Sequence, residues 1–202
     1  MSIVRRLARN ETAASAAEFA LVLPLLLLFI LGIIDASRFM WQFNKAEKAT
    51  QMGVRYAVVT DPVLNGLSTY SFSISGGILQ GSPVPTTSFD TATCDNSTCS
   101  CSPNGGFCSA SSRNGTAFTG LVTRMTQMYP AIGPSNVQVI YKNVGLGFAG
   151  DPDNSDVSAL VTVKLRNMTF RPVSCRLFNC SVNMPDFRAS LTLEDGSGTV
   201  SN

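Results

Sequence analysis

The sequence contains no histidine. That absence excludes Ser-His-Asp triads, Cys-His nucleophiles and His-ligated metal centres together. Charge is scarce too: Asp, Glu, Lys and Arg make up 14% of the 202 residues and nearly cancel, leaving a net charge of +2. Because the Lys and Arg are scattered rather than clustered, no polyanion-binding face is expected, and nucleic acid is not a partner. The alternation of strands and crossover helices that marks a parallel sheet is missing. Paired Cys-x-x-Cys knuckles are missing as well, which argues against a four-thiolate zinc site built from Cys94, Cys99, Cys101 and Cys108. Nothing beside Cys99-Ser100-Cys101 would lower a thiol pKa, so a redox-active pair is disfavoured.

What the chain has in abundance is apolar residues near its start. Ala13 to Ile34 is long enough, at ~1.5 Å of rise per residue, to form a helix of about 32 Å that crosses a bilayer. From Phe19 to Ile34 it carries no polar side chain. Glu18 opens that run, and an ionisable group in the bilayer costs ~2.5 kcal/mol or more unless it is paired or near the interface. Three readings compete. A secretory signal peptide has the basic n-region that Arg5, Arg6 and Arg9 supply, but needs a small-residue cleavage site, which Asp35-Ala36-Ser37-Arg38-Phe39 does not provide. A plain membrane anchor leaves Glu18 without a reason. A type IV pilin-like leader is cut before the apolar segment and requires small residues at the cut with a carboxylate five residues on, as Ala13, Ala14 and Glu18 supply.

Ala16-Ala17-Glu18-Phe19-Ala20-Leu21-Val22-Leu23-Pro24-Leu25-Leu26-Leu27, then Gly32-Ile33-Ile34-Asp35 and Gly53-Val54-Arg55-Tyr56-Ala57, resembles the TadE-like family of minor pseudopilins of the tight-adherence (Flp-type IV) pilus. Ala13 stands where family members usually carry Gly. The resemblance implies a minor pilin that helps initiate, prime or cap pilus assembly for surface attachment. It implies as partners other minor pilins, the major pilin, a prepilin peptidase and the inner-membrane assembly platform, and no cofactor. Asp186-Phe187-Arg188-Ala189-Ser190-Leu191-Thr192-Leu193-Glu194 resembles the family's closing strand. The residues agree with the resemblance: a cut between Ala13 and Ala14 leaves an α-amine one helical turn from Glu18, and the amine of an incoming subunit neutralises the carboxylate of a neighbour only in register. Phe19 and Pro24 belong to the same assembly segment, Pro24 favouring a kink that neighbouring helices compensate.

The expected organisation is a leader at 1–13, a membrane and assembly helix at 14–35, its periplasmic continuation at 36–60, and a globular head at 61–202. The basic residues on both sides of the apolar run decide orientation only weakly, and the cysteines decide it better. Phe39, Phe43, Ala46, Thr50, Gly53 and Ala57 form a helical stripe that packs on the head or on neighbouring helices. Asp61-Pro62 ends the helix. Tyr70 to Ile74 alternates as a short strand, and a loop rich in Ser, Thr, Asn, Gly and Pro at 81–115 holds four cysteines as staples. Six cysteines fit an oxidising compartment; Cys175 is expected to pair with Cys180 and the other four within their own cluster.

A helix is expected at 116–129 and alternating strands at 137–141, 157–165 and 187–193. The head is therefore α+β, a small antiparallel sheet packed on the long helix and a second helix. Asp151, Asp153 and Asp156 are weak calcium candidates whose order departs from the EF-hand pattern; a solvated turn is the expectation. An alternative function is a membrane-anchored binding or adhesion module that uses the stapled loop. An enzyme would need a cleft with converging polar groups that the sequence does not advertise.

Overall fold

The computed structural model describes residues 11–152, 155–175, 180–194 and 196–198. One helix, α1 (Glu11–Val59), runs for 49 residues, about 74 Å. It continues through Pro24, whose ring removes the N–H that would bond the Ala20 carbonyl. Its end comes at Val59, two residues before Asp61-Pro62, where the Thr60 hydroxyl donates to the Tyr56 carbonyl.

After α1 come β1 (Leu64–Asn65), β2 (Thr91–Cys94), β3 (Cys99–Ser102), α2 (Phe107–Ala110), β4 (Ser112–Arg113), α3 (Gly115–Met128), β5 (Val137–Lys142), β6 (Leu160–Leu165), β7 (Thr169–Phe170), β8 (Val182–Asn183) and β9 (Phe187–Thr192). The chain forms two compact units. One is α1 through Gln42 with Thr169–Val182; the other is Phe43–Met168 with the chain from Asn183 on. Thr169–Val182, late in the chain, thus groups with the first part of α1 rather than with the sheet.

The second unit is α+β. Its five strands pair antiparallel in the order β3-β2-β5-β6-β9. Val137, Val139 and Tyr141 on β5 lie opposite Leu165, Val163 and Val161 on β6, and all six are fully buried. The intervening Gln138, Ile140, Thr162 and Lys164 face the other side, as a period of two requires. Ala46, Ala49, Thr50, Gly53, Val54, Ala57 and Val58 of α1 are buried, as are Phe118, Leu121, Val122 and Met125 of α3. The stripe on α1 from Ala46 onward thus packs within its own chain. Asn114 caps α3, its side chain accepting the Ala117 N–H. The helices meet at glycines: a Cβ on Gly53 would stand 2.9 Å from the Met125 thioether, and one on Gly120 would stand 2.7 Å from the Tyr56 hydroxyl.

Three local expectations are corrected. Tyr70 to Ile74 is a chain of turns rather than a strand. The Phe72 N–H is taken by the Asp156 carboxylate and the Ser71 carbonyl by Ser75, so neither serves a ladder. The segment 81–115 is not an irregular loop: it holds the β2–β3 hairpin, the outermost part of the sheet, because Ala92 and Cys94 alternate inward against polar neighbours. Nor is the acidic turn simply solvated. Asp156 is buried and accepts the Phe72 and Asp151 N–H groups at 2.6 and 3.2 Å. Gly147, at φ +90, makes room for it, since a Cβ there would lie 2.7 Å from the Asp156 carbonyl.

Gly53→Leu is expected to destabilise the head by about 1–3 kcal/mol through overpacking. Gly32→Leu, where a side chain meets nothing within 4 Å, leaves the unfolding midpoint unchanged. Chemical denaturation of the detergent-solubilised protein, followed by near-UV circular dichroism, compares the two.

Candidate functional site

The residues singled out from the sequence, Ala13, Ala14, Glu18, Phe19 and Pro24, all fall on α1. Its apolar run is exposed along nearly its whole length, from Phe19 at 65% through Leu21 at 80% and Leu25 at 71% to Phe29 at 69%. Among the described residues it is the one helix long and apolar enough to cross a membrane. Leaving so many large apolar side chains in water forfeits about 1.5–3 kcal/mol for each that would otherwise be buried, so this surface requires lipid or neighbouring apolar helices. Glu18 is exposed on the same helix and has no hydrogen bond or ion pair among the described residues. Ala13 and Ala14 lie within α1, and their side chains are outside the described residues.

The apolar run ends at a built contact. Asp35, the first ionisable residue after Ile34, is buried at 7% exposure. Its carboxylate accepts the Val173 N–H at 2.5 Å, the Ser174 N–H at 2.9 Å and the Ser174 hydroxyl at 2.6 Å. Arg38 stands one turn on, 3.7 Å from the same carboxylate. The Phe39 and Phe170 rings meet edge to face at 5.4 Å between centroids. The Cys175–Cys180 disulfide closes the chain directly after Ser174. A short disulfide-closed segment is thereby clasped to the helix where the apolar run stops. Nothing local to Asp35 in the sequence reveals this contact, since its partners lie 138 and 139 residues away.

The other four cysteines pair as Cys94–Cys99 and Cys101–Cys108. The first bond joins directly opposed residues at the end of the hairpin. The second ties β3 to α2, whose Phe107 is packed with Tyr70, Phe72 and Phe89 at centroid distances of 5.2 to 5.6 Å. Between Cys94 and Cys99, Asp95 closes the turn: its Oδ1 accepts the Thr98 and Ser97 N–H groups and the Ser97 hydroxyl. Those bonds, that from Thr98 first, hold its pKa down to about 2.

Among the described residues no cluster of acidic or cysteine side chains is arranged to hold a metal ion. Of the three calcium candidates, Asp153 lies outside the described residues, and Asp156 is committed to backbone amides. Tyr141 is fully buried, its hydroxyl accepting the Val63 N–H at 2.8 Å. Burial pushes its pKa up, which keeps it protonated as a structural tie.

Comparison with known proteins places a family on this helix. Residues 13–55 match the family model described as TadE-like protein. The match bears out the resemblance over residues 16–35 and 53–55; it covers most of α1 and none of the sheet, so it does not reach the 186–194 strand. No curated protein and no solved structure matches the chain.

Two measurements probe these sites. Asp35→Ala removes the acceptor of two amides, so hydrogen exchange at Val173 and Ser174 is expected to accelerate while exchange in β5 and β6 stays unchanged. Asp95 carries a depressed folded pKa, so its contribution to the hairpin is complete above the ordinary value of 3.8 and is lost as pH falls through about 2. An NMR titration is expected to show the Asp95 carboxyl and the Thr98 amide shifting together with a midpoint near 2.

Proposed function

We propose, with the TadE-like helix as premise, that this protein is a minor pilin (pseudopilin) that helps initiate, prime or cap assembly of a tight-adherence type IV pilus used in surface attachment. The observation that carries the reading is the coincidence of the family match at 13–55 with a helix whose apolar run is exposed and preceded by Glu18, which has no partner among the described residues. A single-pass helix of this kind anchors the chain in a membrane. TadE-like pilus proteins are structural proteins, and the chain acts by assembling rather than by turning over a substrate.

In this reading a prepilin peptidase removes residues 1–13, and the new α-amine at Ala14 lies one turn from Glu18. A Glu18 carboxylate in the bilayer costs ~2.5 kcal/mol or more, and the amine of a neighbouring subunit relieves that cost only when the two helices are in register. Register is therefore checked by desolvation rather than by shape. Phe19 and Pro24 lie on the helix surface that neighbours cover. The three disulfides support a head on the periplasmic side of the inner membrane, because such bonds persist in an oxidising compartment. The partners are other minor pilins, the major pilin and the inner-membrane assembly platform.

The test is the intact mass and N-terminal sequence of the protein purified from membranes with and without its prepilin peptidase. A mature N-terminus at Ala14 that disappears without the peptidase is expected, together with loss of incorporation in Glu18→Ala. An uncut Met1 start, with Glu18→Leu fully functional, would instead make the chain an anchored binding module.

A further inference from the structure

The Asp35 clasp builds a cleft at the foot of the first unit. Its volume is about 520 Å³, and it is lined by Arg38, Arg171, Pro172, Val173, the Cys175–Cys180 disulfide and Ser181. We infer that this cleft binds the phosphate of an anionic phospholipid headgroup, so that the protein is fixed in depth at the membrane surface by a specific lipid contact as well as by its apolar helix.

Three observations converge on that ligand. The first is charge. Arg38 and Arg171 both line the cleft; the Arg38 guanidinium stands over the Phe170 ring at 5.8 Å, and Arg171 is exposed with no carboxylate partner among the described residues. The Asp35 carboxylate is occupied by three hydrogen bonds from Val173 and Ser174, and it only loosely approaches Arg38 at 3.7 Å. The site therefore keeps a positive excess and offers no free carboxylate to the amine of a zwitterionic headgroup. Guanidinium forks suit phosphate oxygens in geometry as well as charge.

The second observation is height. Arg38 follows Ile34, the end of the apolar run, by four residues, which puts it about 6 Å further along the helix. The polar layer of a bilayer adds about 5–8 Å on each side of its hydrocarbon core, so Arg38 falls at the level of the lipid phosphates. Trp41, 59% exposed, lies one turn beyond Arg38, about 10 Å past Ile34 and just outside that layer, close enough to report on the cleft. The third observation is the wall. Pro172, Val173 and the disulfide give the cleft an apolar side beside its basic one, which matches a phosphodiester attached to acyl chains better than a free ion. Val173, at 36% exposure, and Val182, at 46%, extend that apolar surface.

The inference rests on the helix crossing a membrane, and alkaline extraction of membranes tests that point separately: release of the protein would defeat the membrane reading whatever the lipid. For the cleft itself, Trp41 is the sole tryptophan in the chain, so its emission reports on the foot alone. The full chain in neutral detergent micelles is titrated with short-chain phosphatidylglycerol, phosphatidylcholine or inorganic phosphate. A saturable change in emission with phosphatidylglycerol, and none with the other two, is expected. Arg171→Gln should weaken it about fivefold, the worth of one basic side chain at a membrane surface. Arg171→Lys should recover part of the loss, and Arg188→Gln on β9 should change nothing. An equal response to phosphatidylcholine or to inorganic phosphate, or an unaltered affinity in Arg171→Gln, would each overturn the assignment.

Discussion

A helix that its own chain does not cover is the constraint on which the rest of the molecule depends. Between Phe19 and Ile34 nearly every side chain is large, apolar and exposed. Surroundings that supply apolar contact, whether lipid or neighbouring apolar helices, are a condition of the protein's existence. Two polar residues bracket the run, and the chain treats them oppositely. Glu18 has no partner within the described residues, whereas Asp35 is enclosed by two amides and a hydroxyl brought from far along the chain. An unmet carboxylate at one end leaves an interaction for another molecule; a satisfied one at the other end gives the helix a defined boundary.

That boundary also explains why the chain past β6 leaves the sheet and returns. The excursion 169–182 contributes no strand to the five-stranded sheet. It delivers Val173 and Ser174 to Asp35, sets Phe170 against Phe39, and is closed by its own disulfide. A loop of this length would carry considerable conformational entropy if left open, and a crosslink across five residues removes much of it. Its docking also buries Asp35 without leaving the carboxylate unsatisfied, the condition under which a buried polar group is tolerated.

The head relies on a different economy of materials. Small residues on α1 let α3 approach closely, and Gly53 and Gly120 are the positions where a methyl group would collide. Long connections are ordered less by secondary structure than by buried polar ties. Asp156 holds Phe72 and Asp151; Asn143 donates to the Val84 and Phe89 carbonyls and accepts from Gly145. Tyr141 reaches from the sheet to Val63. Asp156 and Asn143 thereby fix the backbones of Phe72 and Phe89, whose rings pack on Phe107.

Local pattern by itself determined the long helix, its end near Asp61-Pro62, the second helix after Asn114, and strands β5, β6 and β9, because apolar periodicity over a dozen residues depends on neighbours in sequence. It also carried the resemblance that the TadE-like family match at 13–55 bears out, because that motif is contiguous. The β2–β3 hairpin stayed hidden because its inward positions are Ala and Cys, too small and weakly apolar to show alternation against Ser and Thr. Tyr70 to Ile74 misled for the converse reason: its alternation is real, but the backbone groups a ladder would use are taken by Asp156 and by turn bonds. The Asp35 clasp, the burial of Asp156 and the cleft between Arg38 and Arg171 were decided only by the tertiary structure. Each joins residues separated by 84 to 139 positions or by the whole head, and a carboxylate's partners are set by where the fold brings backbone amides, which no local composition encodes.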